Sequence, residues 1–187
     1  MKKVTRADIV DYQTYSETRD ETRPHVLAEK KLRRIHVGEH LTFLFENHET
    51  IRYQIQEIMR TEKIVKESDI LHEIKVYNEL IGDEGELGCT LLVEIATEEG
   101  RTELLERWLG LNPSLYAKMP NGELVVPRWD DRQIGESRLS SVQYLRFDTK
   151  GKVPVALGCR FDDPRLFGET SFSEETLKAF ESDFSAV

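Results

Sequence analysis

Residues 48–60 of this 187-residue chain read "HETIRYQIQEIMR" and crowd one helical stretch with groups that can do chemistry. At 100° per residue, Gln54, Glu57 and Thr61 fall on one flank of an apolar stripe made by Ile51, Ile55, Ile58 and Met59. Tyr53 and Arg60 lie further round, next to Glu57. A carboxylate, a phenol and a guanidinium converging beside a cleft suffice for acid–base work or anion binding. The plainer alternative is a solvated flank on which Glu57 pairs with Arg60 at i+3, worth ~0.3 kcal/mol. Gln54, at the rim of the stripe, is expected to be a half-buried amide with a specific partner.

Other chemistry-bearing residues are scattered. His25, His36, His40, His48 and His72 all fall in the first 72 residues. On one strand His36 and His40 would stand ~13 Å apart, too far to share an ion. No HExxH spacing is present, so a metal centre would have to be assembled from separate elements, with His36, His40 and His72 as its candidates. "NELIGDEGELG" (78–88) has three glycines but acidic side chains, the wrong charge for cradling phosphate, and reads as a connecting loop. In "VQYLRF" (142–147) alternation puts Tyr144 and Arg146 opposite Leu145 and Phe147, where they can line a groove or pair across a sheet. No residue is assigned a catalytic role. The candidates are Tyr53, Gln54, Glu57, Arg60, Glu86, Tyr144 and Arg146, and no cofactor is implied.

The elements that must position these groups have their own signals. Thr22 and Pro24 predict a helix start with Leu27, Ala28, Lys31 and Leu32 inward. Gly38-Glu39 suits a two-residue hairpin loop into the strand "HLTFLFEN". A helix follows over 49–62, then one capped by Ser68 with Ile70, Leu71, Ile74 and Tyr77 inward. "CTLLVEIA" (89–96) is apolar enough to be a central strand. Thr97 caps a helix that buries Leu104, Leu105, Trp108 and Leu109 and ends at Gly110. Asn121-Gly122 marks a hairpin, and residues 138–161 predict another about "DTKGK". Ser173 caps a last helix carrying Leu177, Phe180 and Phe184. The fold class is α+β, a mainly antiparallel sheet built from hairpins and packed by paired helices, with a C-terminal hairpin and capped helix. Ile51, Ile55, Ile58, Leu91, Val93, Leu145 and Phe147 are expected to share one core. One domain over 1–187 is expected, with 149–187 as an element that could be appended.

Composition narrows the partners. Thirty-five acids face twenty-six bases, a net charge of −9. Such a surface repels nucleic acid and anionic lipid. The basic run "EKKLRR" (29–34) is the exception and the one place where an RNA-binding reading has a foothold. The chain shows no signal-peptide pattern and no membrane span, so the expected setting is cytoplasmic, with a protein partner of unknown identity. Cys89 and Cys159 lack CxxC spacing and read as reduced structural thiols, with a bridge between them left open.

Three blocks, "HLTFLFENHETIRYQIQEIMRTEKI", "YNELIGDEGELGCTLLVEI" and "SSVQYLRF", resemble those of an uncharacterised bacterial family of domain-of-unknown-function proteins. The resemblance runs over residues 2–185. It puts Glu46, Asn47, Gln54, Gln56, Glu57, Tyr77, Asn78 and Glu86 at matching block positions. The tail reads Asp162-Asp163-Pro164 where the family pattern implies Asp-His-Pro. The resemblance also implies a setting, because genes of this family are often found near those of rubrerythrin-like proteins and iron–sulfur oxidoreductases. Three classes of function stay open. The first is an accessory or binding protein partnered with a redox metalloprotein system. The second is a small enzyme using Glu57, Tyr53 and Arg60, with or without a metal. The third is an RNA-binding module using the helix at 29–34.

Overall fold

Strand alternation and helical stripes organise the described residues into two sheets and five α-helices. The computed structural model describes residues 1–130, 135 and 137–186. In order, the elements are α1 (Tyr12–Leu32), β1 (Arg34–Val37), β2 (Leu41–Phe45), α2 (His48–Glu62), α3 (Glu67–Asn78) and β3 (Glu86–Val93). There follow α4 (Glu98–Arg107), β4 (Leu115–Lys118), β5 (Leu124–Val125), β6 (Arg128–Trp129), β7 (Val142–Asp148), β8 (Ala156–Cys159), β9 (Gly168–Ser171) and α5 (Glu174–Ser185). The first sheet has the order β1-β2-β3-β7-β6 and the second β5-β4-β8-β9, with every pairing antiparallel. The fold is α+β, as the patterning implies. No helix among the described residues is long and apolar enough to cross a membrane.

Local signals explain most boundaries. The Asn47 side chain accepts from the Thr50 amide while the Thr50 hydroxyl accepts from the Asn47 amide, a reciprocal cap that starts α2. Thr97 and Ser173 cap α4 and α5 as expected. The Asn121-Gly122 turn joins β4 to β5, with Gly122 at φ +86°. The helix expected to start at Thr22 instead starts eleven residues earlier. Asp11 accepts from the amides of Gln13 and Thr14 at 3.0 Å each, and Pro24 lies inside α1. Its missing N–H removes the usual i to i−4 bond to the Asp20 carbonyl, and both residues lie on the exposed side of the helix. The buried residues of α1 are Tyr15 and Val26, while Leu27 is exposed. Leu71 and Leu109 are likewise exposed, and α3 is capped at Lys66 with no side-chain bond from Ser68. The Val37–Leu41 pairing makes the β1–β2 loop three residues long rather than two, with Gly38 at φ +60°.

Two corrections concern tertiary structure. β7 and β8 do not form a hairpin, because β7 is flanked by β3 and β6 while β8 pairs with β4 and β9. The expected single core is two. One face of the first sheet (Leu41, Phe43, Phe45, Leu91, Val93, Leu145, Phe147) packs on Leu115, Ala117 and Leu157 of the second sheet, and on Trp108 and Phe180. The Phe45 and Phe180 rings meet edge to face at 5.0 Å. Ile51, Ile55 and Met59 instead seal against Ile70, Ile74 and Ile81, and against Val4 and Ile9 of the N-terminal segment. The α2 stripe therefore finds its apolar partners in α3, the turn after it and the N-terminal segment.

Each cluster should respond independently. Ile55→Ala and Leu91→Ala are each expected to cost about 2–5 kcal/mol. Residues without shared neighbours combine additively to within ~0.5 kcal/mol, and urea unfolding of the double variant checks this. A coupling well above that value would mean one continuous core.

Candidate functional site

The polar flank of α2 faces α1. The Glu57 carboxylate accepts from Arg19 Nε at 2.7 Å, from Arg19 Nη2 at 3.0 Å and from the Tyr15 hydroxyl at 2.7 Å. Arg60 is more distant, at 3.5 Å. These bonds, the Arg19 pair first, push the Glu57 carboxyl down to about 2. Burial, then the bond to Glu57, pushes the Tyr15 phenol up. Tyr53 sits under the Lys30 ammonium, 5.3 Å from its ring centre. Tyr53, Glu57 and Arg60 thus share one neighbourhood, as their spacing implies, but it is the seam between α1 and α2. Gln54 lies beside the buried Glu46 carboxyl and favours its ionised form, though its buried Nε2 makes no hydrogen bond of normal geometry among the described residues. Burial pushes Glu46 up, against the Thr50 hydroxyl that donates to it at 2.5 Å.

The other polar residues of the family-like blocks are also engaged. Gln56 accepts from the Val10 amide (2.9 Å) and donates to the Val10 carbonyl (3.1 Å). Asn78 does the same for Val4, at 2.8 Å both ways. Each side-chain amide stands in for a strand partner and clamps the N-terminal segment over the second core. Glu86 is buried and accepts from Arg128 and from the Asp83 amide. In the basic run, Arg33 is 2% exposed and bonded to Asp183 through Nε and Nη2 at 2.8 Å each, and to Glu29 at 2.6 Å. Asn47 donates to the same Asp183. Arg33 is thereby withdrawn from any basic surface, while Lys31 and Arg34 remain exposed.

The histidines stay apart. His36 Nδ1 lies 2.9 Å from the Thr42 hydroxyl, which donates to Glu94 at 2.8 Å. A hydroxyl has one proton; given to Glu94, it leaves oxygen as acceptor for His36 Nδ1–H and sets the imidazole tautomer. Thr42 and Glu94 have no sequence signal that links them to His36. His40 contacts the Glu94 carbonyl at 2.7 Å and packs against Trp108, and His72 is exposed on α3. Among the described residues, no three His, Cys, Asp or Glu side chains gather to hold a metal ion. Cys89 and Cys159 are free and buried, and burial raises both thiols. Asp163, where the family pattern implies His, accepts from Trp108 Nε1 at 2.9 Å and from Arg165 at 2.6–2.9 Å. Arg165 first, then Trp108, holds its carboxyl well below the usual range.

What remains open is a cleft of about 780 Å³. The ends of α2 and α3 form one wall (Ile58, Glu62, Glu73, Val76, Tyr77), and β6 and β7 form the other (Arg128, Trp129, Tyr144, Arg146). Gly88 makes this geometry possible, since a Cβ there would stand 1.9 Å from the Leu80 carbonyl oxygen. The turn after α3 therefore rests directly on β3 and props the helix above the sheet face that carries Tyr144 and Arg146. Arg146 donates to Glu79 O at 2.8 Å and to Asp83 at 3.2 Å. Burial raises the Tyr77 phenol, helped by Glu73, Tyr144 and Glu62. Val76 and Tyr144 are 44% and 43% exposed. Of the sequence-derived candidates, Tyr144 and Arg146 line this cleft and Glu86 anchors its Arg128; Gln54, Glu57 and Arg60 lie elsewhere. Tyr77 stood among the matching block positions but not among the site candidates, and Val76 and Glu73 were not anticipated. Their one signal is that Val76 falls off the Ile70–Ile74 stripe, an apolar residue with no core to enter. A second, shallower cleft of about 650 Å³ lies by His40, Glu94, Arg101 and Val142.

A family model described as "Protein of unknown function (DUF3501)" matches residues 3–184. The chain belongs to this family. A crystal structure described as a novel protein of unknown function from Burkholderia pseudomallei K96243 is similar to this DUF3501 chain over 97% of its length and 99% of the other chain. The TM-score is 0.83 and the sequence identity 26%. No curated protein matches the chain. The α1–α2 seam, the amide clamps and the cleft are therefore features of one DUF3501 protein read from its own residues.

The Glu57 seam yields a pH prediction. A carboxyl lowered in the folded state from its ordinary 4.5 to about 2 stabilises the fold fully above the ordinary value. That contribution is lost as pH falls through the folded value. Glu57→Gln should cost about 1.5–3 kcal/mol near neutrality, the range for hydrogen bonds to a charged group. The gap from wild type in urea midpoints should close as pH falls from 4.5 to about 2. A gap of only ~0.3 kcal/mol at neutral pH would return Glu57 to a solvated pair.

Proposed function

We propose that this DUF3501 protein is a cytoplasmic accessory protein that binds a partner in the cleft between α3 and the β6–β7 side of the first sheet. The observation that carries this reading is the make-up of the cleft. Exposed Val76 and Tyr144 and the half-buried Tyr77 stand beside charged groups in a concavity of about 780 Å³, within the range of ligand pockets. Exposing apolar side chains in a concavity is a recurring property of binding surfaces. The groups best suited to catalysis are engaged elsewhere. Glu57 is held ionised between Arg19 and Tyr15, and the Cys89 thiol, buried in the first core, is raised well above its ordinary value. Binding is thus favoured over acid–base or nucleophilic chemistry. The gene neighbourhood implied by the family resemblance supports a redox metalloprotein system as the setting.

Soaking crystals with a mixture of aromatic amines, aromatic carboxylates and neutral amides tests the location. Most bound fragments are expected to contact Tyr77 or Tyr144. Fragments concentrated instead by His40 and Arg101 would move the binding surface to the second cleft.

A further inference from the structure

We infer that the occupant of the cleft is a lysine-bearing peptide segment of the partner, its ammonium seated among Tyr77, Tyr144, Glu62 and Glu73. This deepens the binding reading above and rests on it. The cleft's two arginines are already satisfied within the chain. Arg128 is paired with Glu86, and Arg146 is held by Asp83 and the Glu79 carbonyl. On the facing wall, neither Glu62 nor Glu73 has an ion-pair or hydrogen-bond partner among the described residues. Both lie on the same wall as Tyr77, with the Tyr144 ring opposite. Two carboxylates without a counter-cation among the described residues, on the wall that carries the Tyr77 ring, are complementary to a positive charge. The net charge of −9 adds long-range attraction of the same sign.

The apolar part of the wall selects the kind of cation. Ile58, Val76 and Leu80 line the same space, and Val76 is 44% exposed. A metal ion or a fully hydrated amine would leave that surface wet. A lysine stem covers apolar surface along its methylenes while its head reaches the acids, and flanking apolar residues of a peptide cover the remainder.

Fluorescence anisotropy with two labelled hexapeptides tests this, one alternating lysine with leucine and the other glutamate with leucine. The lysine peptide should bind more tightly than the glutamate peptide, and the complex should weaken with added salt. Glu62→Gln combined with Glu73→Gln should weaken it by about tenfold. Glu174→Gln combined with Glu175→Gln, which removes the same charge from α5, should change it little. Equal weakening by the two double variants would reduce the effect to general steering and overturn the inference. A glutamate peptide that binds as tightly, and is weakened by Tyr144→Ala, would overturn the charge assignment and leave the cleft as the binding site. Lysine-peptide binding that ignores both Tyr144→Ala and the cleft double variant would overturn the cleft reading itself. Spermidine binding as tightly as the peptide, with the same dependence on Glu62 and Glu73, would replace the peptide segment with a free polyamine.

Discussion

At Gly88 a turn of backbone lies directly on a central strand. β3 pairs on both sides and is buried from Glu86 to Cys89, so both of its faces need covering. The second sheet and α5 cover one face with ordinary side-chain packing. On the other, the Leu80 carbonyl comes so close that only glycine fits beneath it. The helical layer is thus seated at one end of the sheet by a backbone contact, and its own apolar stripe is spent on other helices. The far part of that sheet face, with Tyr144 and Arg146, keeps an open space above it, and this is the cleft.

The same division governs the polar residues. A helical layer that packs little apolar surface on the sheet needs other ties, and these are polar. Gln56 and Asn78 grip the N-terminal segment as strands grip one another. Glu57 joins α2 to α1 through Arg19 and Tyr15, and Asp183 draws Arg33 and Asn47 toward α5. Buried groups of this kind are costly to leave half-satisfied, which makes them sensitive to substitution without being sites of chemistry. The chain thereby presents its most reactive-looking residues as ties within the fold, and the proposed binding surface lies among residues of plainer character.

Much of the fold was legible because its signals are local. Thr97, Ser173 and Asn121-Gly122 act within a few residues of themselves, and the alternation in β7 correctly sends Tyr144 and Arg146 away from the core. What was not legible depends on partners distant in sequence. Pro24 reads as a helix start until Asp11 is seen to cap a helix that simply tolerates it. Periodicity aims Ile55 and Leu91 inward, but nothing in it says that "inward" means two different interiors. Glu57 and Arg60 at i+3 suggest a surface pair, whereas Arg19, 38 positions away, supplies the stronger bonds. The cleft walls come from α3 and from β6 and β7, and the Gly88 contact, with the Arg146 bonds to Glu79 and Asp83, brings them face to face.

The central claim is that the polar block residues hold the fold while the cleft wall is free to serve binding. A paired measurement of urea midpoints tests it most directly, on Gln56→Leu and Val76→Ser. Removing the Gln56 amide takes away the partners of the part-buried Val10 N–H and C=O and should cost about 1–3 kcal/mol. Val76→Ser alters an exposed wall residue and should stay within ~0.5 kcal/mol of wild type. The reverse order, with Gln56→Leu neutral and Val76→Ser strongly destabilising, would contradict the account.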